Sequence, residues 1–153
     1  MNFKKVNLDT LKGLDVGQIA AIYAARRSSI YSFQTGAAIV RDGKLLEHGW
    51  SHVGATKWKQ TPYSTHAEAH AIMRLGVKQA KGSNIYIATL SRKGNLTMGC
   101  PCESCQEFIE GVGFDKITFT NPESLFGDGW STVNAHNYSY LKAEREHWSK
   151  ING

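Results

Sequence analysis

The chain has 153 residues, of which 41% are hydrophobic and 20% are charged, with a formal net charge of +5. These values are typical of one soluble globular domain covering residues 1–153, and so mild a charge does not require a nucleic-acid partner. No apolar run approaches the roughly 20 residues of a membrane-spanning helix. The N-terminus also lacks the apolar segment of a secretion signal. We therefore expect a cytoplasmic protein without a membrane partner.

Helical and strand-like patterns alternate along the chain. In chain order they predict a helix at 16–27, strands at 36–40 and 44–50, a helix at 65–76, a strand at 83–89, a helix at 102–112, a strand at 115–120 and a helix at 138–150. Asp42-Gly43 is the signal of a tight hairpin turn between the first two strands. A fifth strand between Trp130 and Tyr140 is only weakly indicated. This order predicts an α/β fold in which helices cover a mixed sheet.

The chain has three cysteines, Cys100, Cys102 and Cys105, all within six residues. An odd number of cysteines this close together in the sequence argues against a disulfide framework. Cys102 and Cys105 begin one predicted helix, and His66 begins another. Zinc takes imidazole and thiolate ligands, and a catalytic zinc keeps one of about four positions for water. The positive ends of both helices would favour thiolate and hydroxide. The pattern predicts a zinc site formed by His66, Cys102 and Cys105.

Glu68 follows His66 by two residues and is the candidate proton shuttle. His66-Ala67-Glu68 together with Pro101-Cys102-Glu103-Ser104-Cys105 forms the H-x-E and P-C-x-x-C pairing of zinc deaminases. A purely structural zinc would need a fourth protein ligand, for which Cys100 and His70 are the near candidates. His66 and His70 also have the spacing of a metalloprotease helix, but that motif requires Glu where this chain has Ala67.

These motifs resemble those of the cytidine/deoxycytidylate deaminase superfamily, in particular its compact single-domain, deoxycytidylate-deaminase-like members. The resemblance covers roughly residues 22–121 and includes a segment at 35–43 that is similar to the family's first hairpin. It implies a three-layer α/β/α sandwich around a mixed sheet of about five strands, and a tendency to form homo-oligomers. It also implies conversion of cytosine to uracil with release of ammonia, with zinc-bound hydroxide as the nucleophile and Glu68 as the proton shuttle.

The resemblance also suggests which residues contact the substrate. The backbone of Ala67 would hold the edge of the base, Pro101 would shape the turn before its helix, and Phe33 or Thr35 would lie against the pyrimidine or sugar. Members of the family commonly carry an asparagine where this chain has Ser51. Recognition of the sugar is therefore expected to involve Ser51 or to move to His52.

The loop before His66 contains Lys57, Trp58 and Lys59, whose side chains are of the kinds that contact phosphates and stack on unpaired bases. The lysines could bind the phosphate of a mononucleotide. We therefore expect a small-molecule pyrimidine nucleoside or nucleotide as substrate, namely cytidine, deoxycytidine or deoxycytidylate. Three alternatives stay open. They are a cytosine deaminase of single-stranded DNA or RNA, a purine-type deaminase, and a zinc-stabilised binding module without catalysis.

Overall fold

In a computed structural model of the protein, which describes residues 11–30, 32–53, 64–123, 129–136 and 138–152, helices lie on both faces of a mixed sheet. The helices are α1 (Val16–Ala25), α2 (Ala67–Leu75), α3 (Val77–Ala80), α4 (Glu103–Val112) and α5 (Tyr138–Asn152). The strands are β1 (Phe33–Arg41), β2 (Lys44–Trp50), β3 (His52–Val53), β4 (Ser64–Thr65), β5 (Asn84–Ser91), β6 (Leu96–Thr97), β7 (Lys116–Thr120) and β8 (Trp130–Asn134). Among the described helices, none has the length and apolar character needed to cross a membrane.

The main sheet has the strand order β2-β1-β5-β7-β8, and β6 adds a short pairing to β5. Strands β5 and β7 are parallel, whereas the other pairings are antiparallel. The sheet is therefore mixed, as predicted, and β8 is the strand that the sequence indicated only weakly. A separate pair, β3 with β4, joins the end of the hairpin to the segment before His66.

Two apolar cores lie on opposite faces of the sheet, because successive side chains of a strand point in opposite directions. On β5, Ile85 and Ile87 join the core formed with α2, α4 and Leu141 of α5. Ala88 and Leu90 of the same strand join the core formed with α1. Each face of the sheet is thus covered by helices, which gives the predicted three-layer arrangement.

Two glycines allow helices to lie directly against the β1–β2 hairpin. A Cβ atom at Gly49 would lie 2.3 Å from the backbone nitrogen of Ala71 in α2. A Cβ atom at Gly36 would lie 2.2 Å from the backbone nitrogen of Ala25 in α1. Since neither helix backbone can yield by that much, any side chain at these positions would push a helix away from the sheet. The close approach at Gly49 fixes the start of α2, where His66 and Glu68 are found.

Strand β2 forms one edge of the main sheet. Backbone N–H groups on its open side donate hydrogen bonds to side chains. In an antiparallel pair, alternate residues direct their backbone groups away from the partner strand. The outward N–H of Trp50 donates to Nδ1 of His70 at 3.1 Å. The N–H of His48 donates to Oε1 of Glu47 at 2.9 Å. His70 therefore serves as an acceptor for the edge strand, which explains its position on α2 without a role as metal ligand.

This hydrogen bond leads to a prediction about acid stability. Burial, followed by the charges of His52 and Arg74, lowers the pKa of His70 from its ordinary value of 6.5 to about 4. Between these values the unfolded chain binds a proton at this residue and the folded chain does not, so acidification favours unfolding. We expect the melting temperature to fall as pH decreases from 6.5 to 4, and part of that slope to disappear in a His70→Asn variant, whose amide oxygen replaces Nδ1.

Thermal melts at several pH values, followed by circular dichroism, would measure the effect. Substitution of the exposed His136 by Asn is the matched control, because it makes the same change of residue type at the surface. Equal slopes for His70→Asn and wild type would show that this histidine does not titrate differently on folding.

Candidate metal centre and substrate cavity

The starts of two helices place the candidate metal ligands. His66 is the N-cap residue of α2 and Cys102 is the N-cap residue of α4, both with extended backbone. Neither side chain caps its own helix through a hydrogen bond, so both can turn toward a shared point. Cys105 lies in the first turn of α4 with 0% exposure. The helix starts thus bring together three residues that are distant in sequence.

The distances within this cluster fit a zinc ion. Nδ1 of His66 lies 3.1 Å from Sγ of Cys105 and 3.7 Å from Sγ of Cys102. All three donor atoms lie within 4.8 Å of one another. Ligand atoms around a tetrahedral zinc are roughly 3.5 to 3.8 Å apart, given its bond lengths to nitrogen and sulfur. The imidazole and the two thiols therefore match zinc in chemistry, and with contacts of 3.7 Å and 3.1 Å they lie close to the spacing that it requires.

Hydrogen bonds prepare this cluster to hold a cation. The hydrogen bond from Cys105 lowers the pKa of Cys102, with further contributions from His66 and from the Ser104 hydroxyl, whose oxygen is 3.3 Å from Sγ. The hydrogen bond to Cys102 in turn raises the pKa of His66. Thiolates are the form of cysteine that binds metals. The hydrogen bond between the two thiols raises the pKa of Cys105, so Cys102 is the thiol of this pair whose anionic form is favoured.

Cys100 has a different environment from the other two cysteines. Burial raises the pKa of its thiol to about 12, so it stays protonated. Its Sγ donates a hydrogen bond to the backbone oxygen of Leu141 in α5 at 3.7 Å. Among the described residues, the group that can share one metal ion is His66, Cys102 and Cys105. Cys100 and His70, the two candidates for a fourth ligand, lie outside that group.

A cavity of about 380 Å³ adjoins the cluster, a volume within the range of small-molecule sites. Glu68 lines it with 5% exposure, and burial, followed by the charge of Cys102, raises the pKa of its carboxyl group. His66 and Cys102 also line this cavity. Five of the predicted substrate contacts lie on its wall: Phe33, Thr35, Ser51, Ala67 and Pro101.

Ser51 and His52 lie in different surroundings although they are adjacent. Ser51 is buried, and its hydroxyl lies 2.7 Å from the hydroxyl of Ser28 and accepts the N–H of Thr35 at 3.2 Å. These bonds give Ser51 a part in fixing the shape of the wall. The described residues lining the cavity do not include His52, whose ring packs edge-on against His70 at 4.6 Å. Its Nδ1 donates to the backbone oxygen of Trp50 at 2.9 Å.

The structure adds wall residues that the sequence patterns do not identify: Ile30, Ile87, Thr89, Thr97, Met98 and Gly99. Thr89 belongs to β5 and Thr97 to β6, and the two are directly paired across these strands. The hydroxyl of Thr89 lies 3.1 Å from that of Thr35. The sequence signal for β6 is a single apolar residue followed by a polar one, Leu96 and Thr97, and this is too short to predict a strand. Lys57, Trp58 and Lys59 lie outside the described residues.

Comparison with known proteins identifies the family. The sequence matches the family profile of the cytidine and deoxycytidylate deaminase zinc-binding region over residues 18–121. A search of curated proteins gave no significant match.

Solved structures that match the chain include cytidine deaminases and a dCMP deaminase. Cytidine deaminase from Burkholderia pseudomallei is 19% identical with a TM-score of 0.55, covering 85% of this chain and 94% of that one. Cytidine deaminase from Mycobacterium leprae is 23% identical with a TM-score of 0.50, covering 84% and 94%. The dCMP deaminase of cyanophage S-TIM5 is 19% identical with a TM-score of 0.49, covering 83% and 90%. The first two likenesses show a cytidine-deaminase fold. Since the profile spans more than half of its length, the chain belongs to the cytidine and deoxycytidylate deaminase family.

Proposed function

We propose that the protein is a zinc-dependent hydrolase that deaminates the cytosine base of a free pyrimidine nucleoside or nucleotide. The observation that carries this proposal is the arrangement of the His66–Cys102–Cys105 cluster and the buried Glu68 carboxyl group around one cavity. A structural zinc is normally enclosed by four protein ligands, whereas a catalytic zinc has three and an open position. The three ligands found together among the described residues favour a catalytic site.

The residues proposed to hold zinc are His66, Cys102 and Cys105. A zinc ion held there would act as a Lewis acid and make water a stronger nucleophile. Cys105 is enclosed in the core and Cys102 is hydrogen-bonded to Ser104, so the protein holds both sulfurs in place before any substrate arrives. Such fixed geometry is what a catalytic metal site requires of its protein.

Glu68 is proposed to move the protons of the reaction. In hydrolytic deamination, the oxygen of water replaces the exocyclic amino group at C4 of cytosine, and that group leaves as ammonia. Glu68 takes one proton from the attacking water and passes it to the ring nitrogen N3, and it then moves the second proton, from the new hydroxyl at C4, to the amino group, which leaves as ammonia. Because the carboxyl group is almost fully buried, it is shielded from bulk solvent. Proton transfer by a positioned carboxylate contributes about 10²- to 10⁴-fold to a rate.

The cavity wall supports a base-sized substrate. Phe33, Ile87 and Met98 offer apolar surface for a planar ring, and Ala67 lies between the two residues of the H-x-E motif. The hydroxyls of Thr35 and Thr89 offer polar contacts on the same wall. A mostly apolar pocket with a few fixed polar groups is the usual form of a small-molecule site. These features favour cytidine, deoxycytidine or deoxycytidylate as substrate.

A second candidate is a cytosine in single-stranded DNA or RNA. One observation favours this second candidate. Phe33 lines the cavity, and 57% of the residue is exposed to solvent. An exposed aromatic ring beside a catalytic pocket can stack on the base next to the target. The same ring can equally cover the sugar of a free nucleoside, so the substrate must be measured.

A substrate panel tests both candidates with one zinc-loaded preparation. The panel contains cytidine, deoxycytidine, deoxycytidylate, and single-stranded DNA and RNA oligonucleotides that each carry one cytosine. Ammonia release and conversion to uracil are measured at low and at moderate salt. We expect turnover of at least one free nucleoside or nucleotide. The Glu68→Gln variant serves as the control for contaminating deaminases.

The other outcomes have distinct meanings. Turnover of oligonucleotides alone, falling steeply with salt, would establish the second candidate, because polynucleotide binding releases counterions. Failure to convert any cytosine compound, in a folded protein that contains zinc, would overturn the catalytic proposal. Zinc binding without turnover of these compounds would then leave a purine-type deaminase or a zinc-stabilised binding module.

A further inference from the structure

The C-terminal helix α5 contacts the segment that carries two of the proposed metal ligands. The guanidinium of Arg145 donates from Nη1 to the backbone oxygen of Pro101 at 3.2 Å. The same nitrogen donates to Oε1 of Gln106 through a short hydrogen bond. Pro101 directly precedes Cys102, and Gln106 directly follows Cys105. Arg145 thus bridges the two ends of the segment that contains both cysteine ligands.

Gln106 is the buried partner in this bridge. It is only 2% exposed, and its backbone N–H donates to the backbone oxygen of Cys102 at 2.8 Å, which closes the first turn of α4. A buried amide oxygen without a donor costs about 1 to 3 kcal/mol, so the partner of this oxygen has a strong influence on the geometry. Arg145 is that partner. Its guanidinium reaches both acceptors through one nitrogen, Nη1, at the end of a side chain that is longer than that of lysine.

Other contacts hold α5 against the domain without Arg145. Leu141 is fully buried in the core, and its backbone oxygen accepts the hydrogen bond from Cys100. Nε2 of His147 lies 2.8 Å from Oε2 of Glu123. Removal of the Arg145 side chain therefore leaves the helix docked. The effect of such a change should be concentrated at the Pro101–Gln106 segment.

We propose that Arg145 is a positioning residue that holds Cys102 and Cys105 at the separation a zinc ion requires. The inference rests on the proposed function, since it assumes that the cluster binds zinc. It assigns a role to the last helix, which lies beyond the part of the chain matched by the family profile. Loss of the bridge loosens the start of α4 and lets the two sulfurs move apart.

The experiment compares three variants of the zinc-loaded protein. Arg145→Met removes both hydrogen bonds and also the contact of Arg145 with the Cys100 thiol. Arg145→Lys keeps the charge, and Lys142→Met is the control because Lys142 lies on the same helix and is 72% exposed. One readout is the rate at which excess chelator removes zinc. The other is the visible absorption spectrum after exchange of zinc for cobalt(II), whose bands report the symmetry of the ligand field. Neither readout depends on catalytic activity.

We expect Arg145→Met to lose zinc about 10- to 100-fold faster than wild type, as for other partners that orient metal ligands. Its cobalt bands should shift or weaken, Arg145→Lys should lie between the two, and Lys142→Met should match wild type. Release rates and cobalt spectra of both Arg145 variants equal to those of Lys142→Met would overturn the proposal. If Arg145→Met does not fold, Arg145→Lys alone decides between these results.

Failure of the proposed function gives a different result. If wild type deaminates no cytosine compound but binds zinc, the release rates and spectra still test the role of Arg145. If wild type binds no zinc, both the metal site and the role of Arg145 are overturned. A deaminase-active wild type with zinc release unaffected by Arg145 overturns only the positioning role.

Discussion

Replacement of Glu68 by Gln should abolish most deaminase activity while zinc content and fold are retained. Gln has nearly the same shape, and removing a charge from a site that is 5% exposed carries no desolvation penalty. The amide cannot accept the proton of the attacking water. We therefore expect kcat/KM to fall by about 10²- to 10⁴-fold. Steady-state kinetics on the best substrate of the panel, with zinc measured by atomic emission, would check both parts of this prediction.

Glu103→Gln provides the matched control. Glu103 follows the ligand Cys102 at the first turn of α4, much as Glu68 follows the ligand His66 at the first turn of α2, but it is exposed. Its substitution should leave kcat/KM within a few-fold of wild type. Retained activity in Glu68→Gln would exclude this residue as the proton shuttle. Loss of zinc in that variant would instead make Glu68 a ligand.

Substitution of Cys105 by Ser should remove zinc and lower stability together. The hydroxyl fills nearly the same buried space, but it does not ionise as a thiol does and so is a poor zinc ligand. Since loss of a residue that merely orients a ligand weakens metal binding about 10- to 100-fold, loss of the ligand itself should cost more. At free zinc 100 times the wild-type Kd, the lost binding corresponds to about 2.7 kcal/mol of unfolding free energy. Zinc stoichiometry and denaturant melts at fixed zinc would measure the two effects.

The Cys100→Ser variant tests whether Cys100 is a zinc ligand or only a thiol beside the zinc site. Cys100 is held as a protonated thiol that donates to Leu141, so its substitution should leave one zinc per chain. Its melting temperature should shift little, because a serine hydroxyl can donate to the same oxygen. Zinc loss in Cys100→Ser combined with zinc retention in Cys105→Ser would contradict the proposed ligand set.

Local sequence signals were sufficient for the long elements of the fold. The eight predicted helices and strands are all present, with ends shifted by at most three residues. At the predicted Asp42-Gly43 turn, both residues have positive φ, 52° and 74°, as a two-residue hairpin requires. The periodicity of apolar residues determines which face is buried, and that information is contained in the sequence itself.

Features that depend on contacts between distant segments were indicated weakly or not at all. Strand β6 is two residues long and exists because it pairs with β5. Strand β8 lies in a segment rich in Gly, Asn and Ser, and its pairing with β7 outweighs that composition. Predicting such short pairings requires the tertiary structure, since their own propensities are weak.

The same limit applies to the candidate site. The sequence motifs were sufficient to predict that His66, Glu68, Cys102 and Cys105 form one site. Their residue types and spacing are those that zinc binding and proton transfer require. Thr89 and Thr97 were missed because a threonine on a strand has no distinctive spacing. Arg145 was missed because its contacts with Pro101 and Gln106 join residues about 40 positions apart.

The hydrogen bonds that His70 and Glu47 accept from strand β2 also affect how separate molecules meet. An open strand edge is a template on which another chain can add a strand, and this is a common route to aggregation. A second molecule that approached β2 would find the donors of Trp50 and His48 already engaged. Because burial keeps His70 neutral down to a pH near 4, this protection should persist in mildly acidic solution.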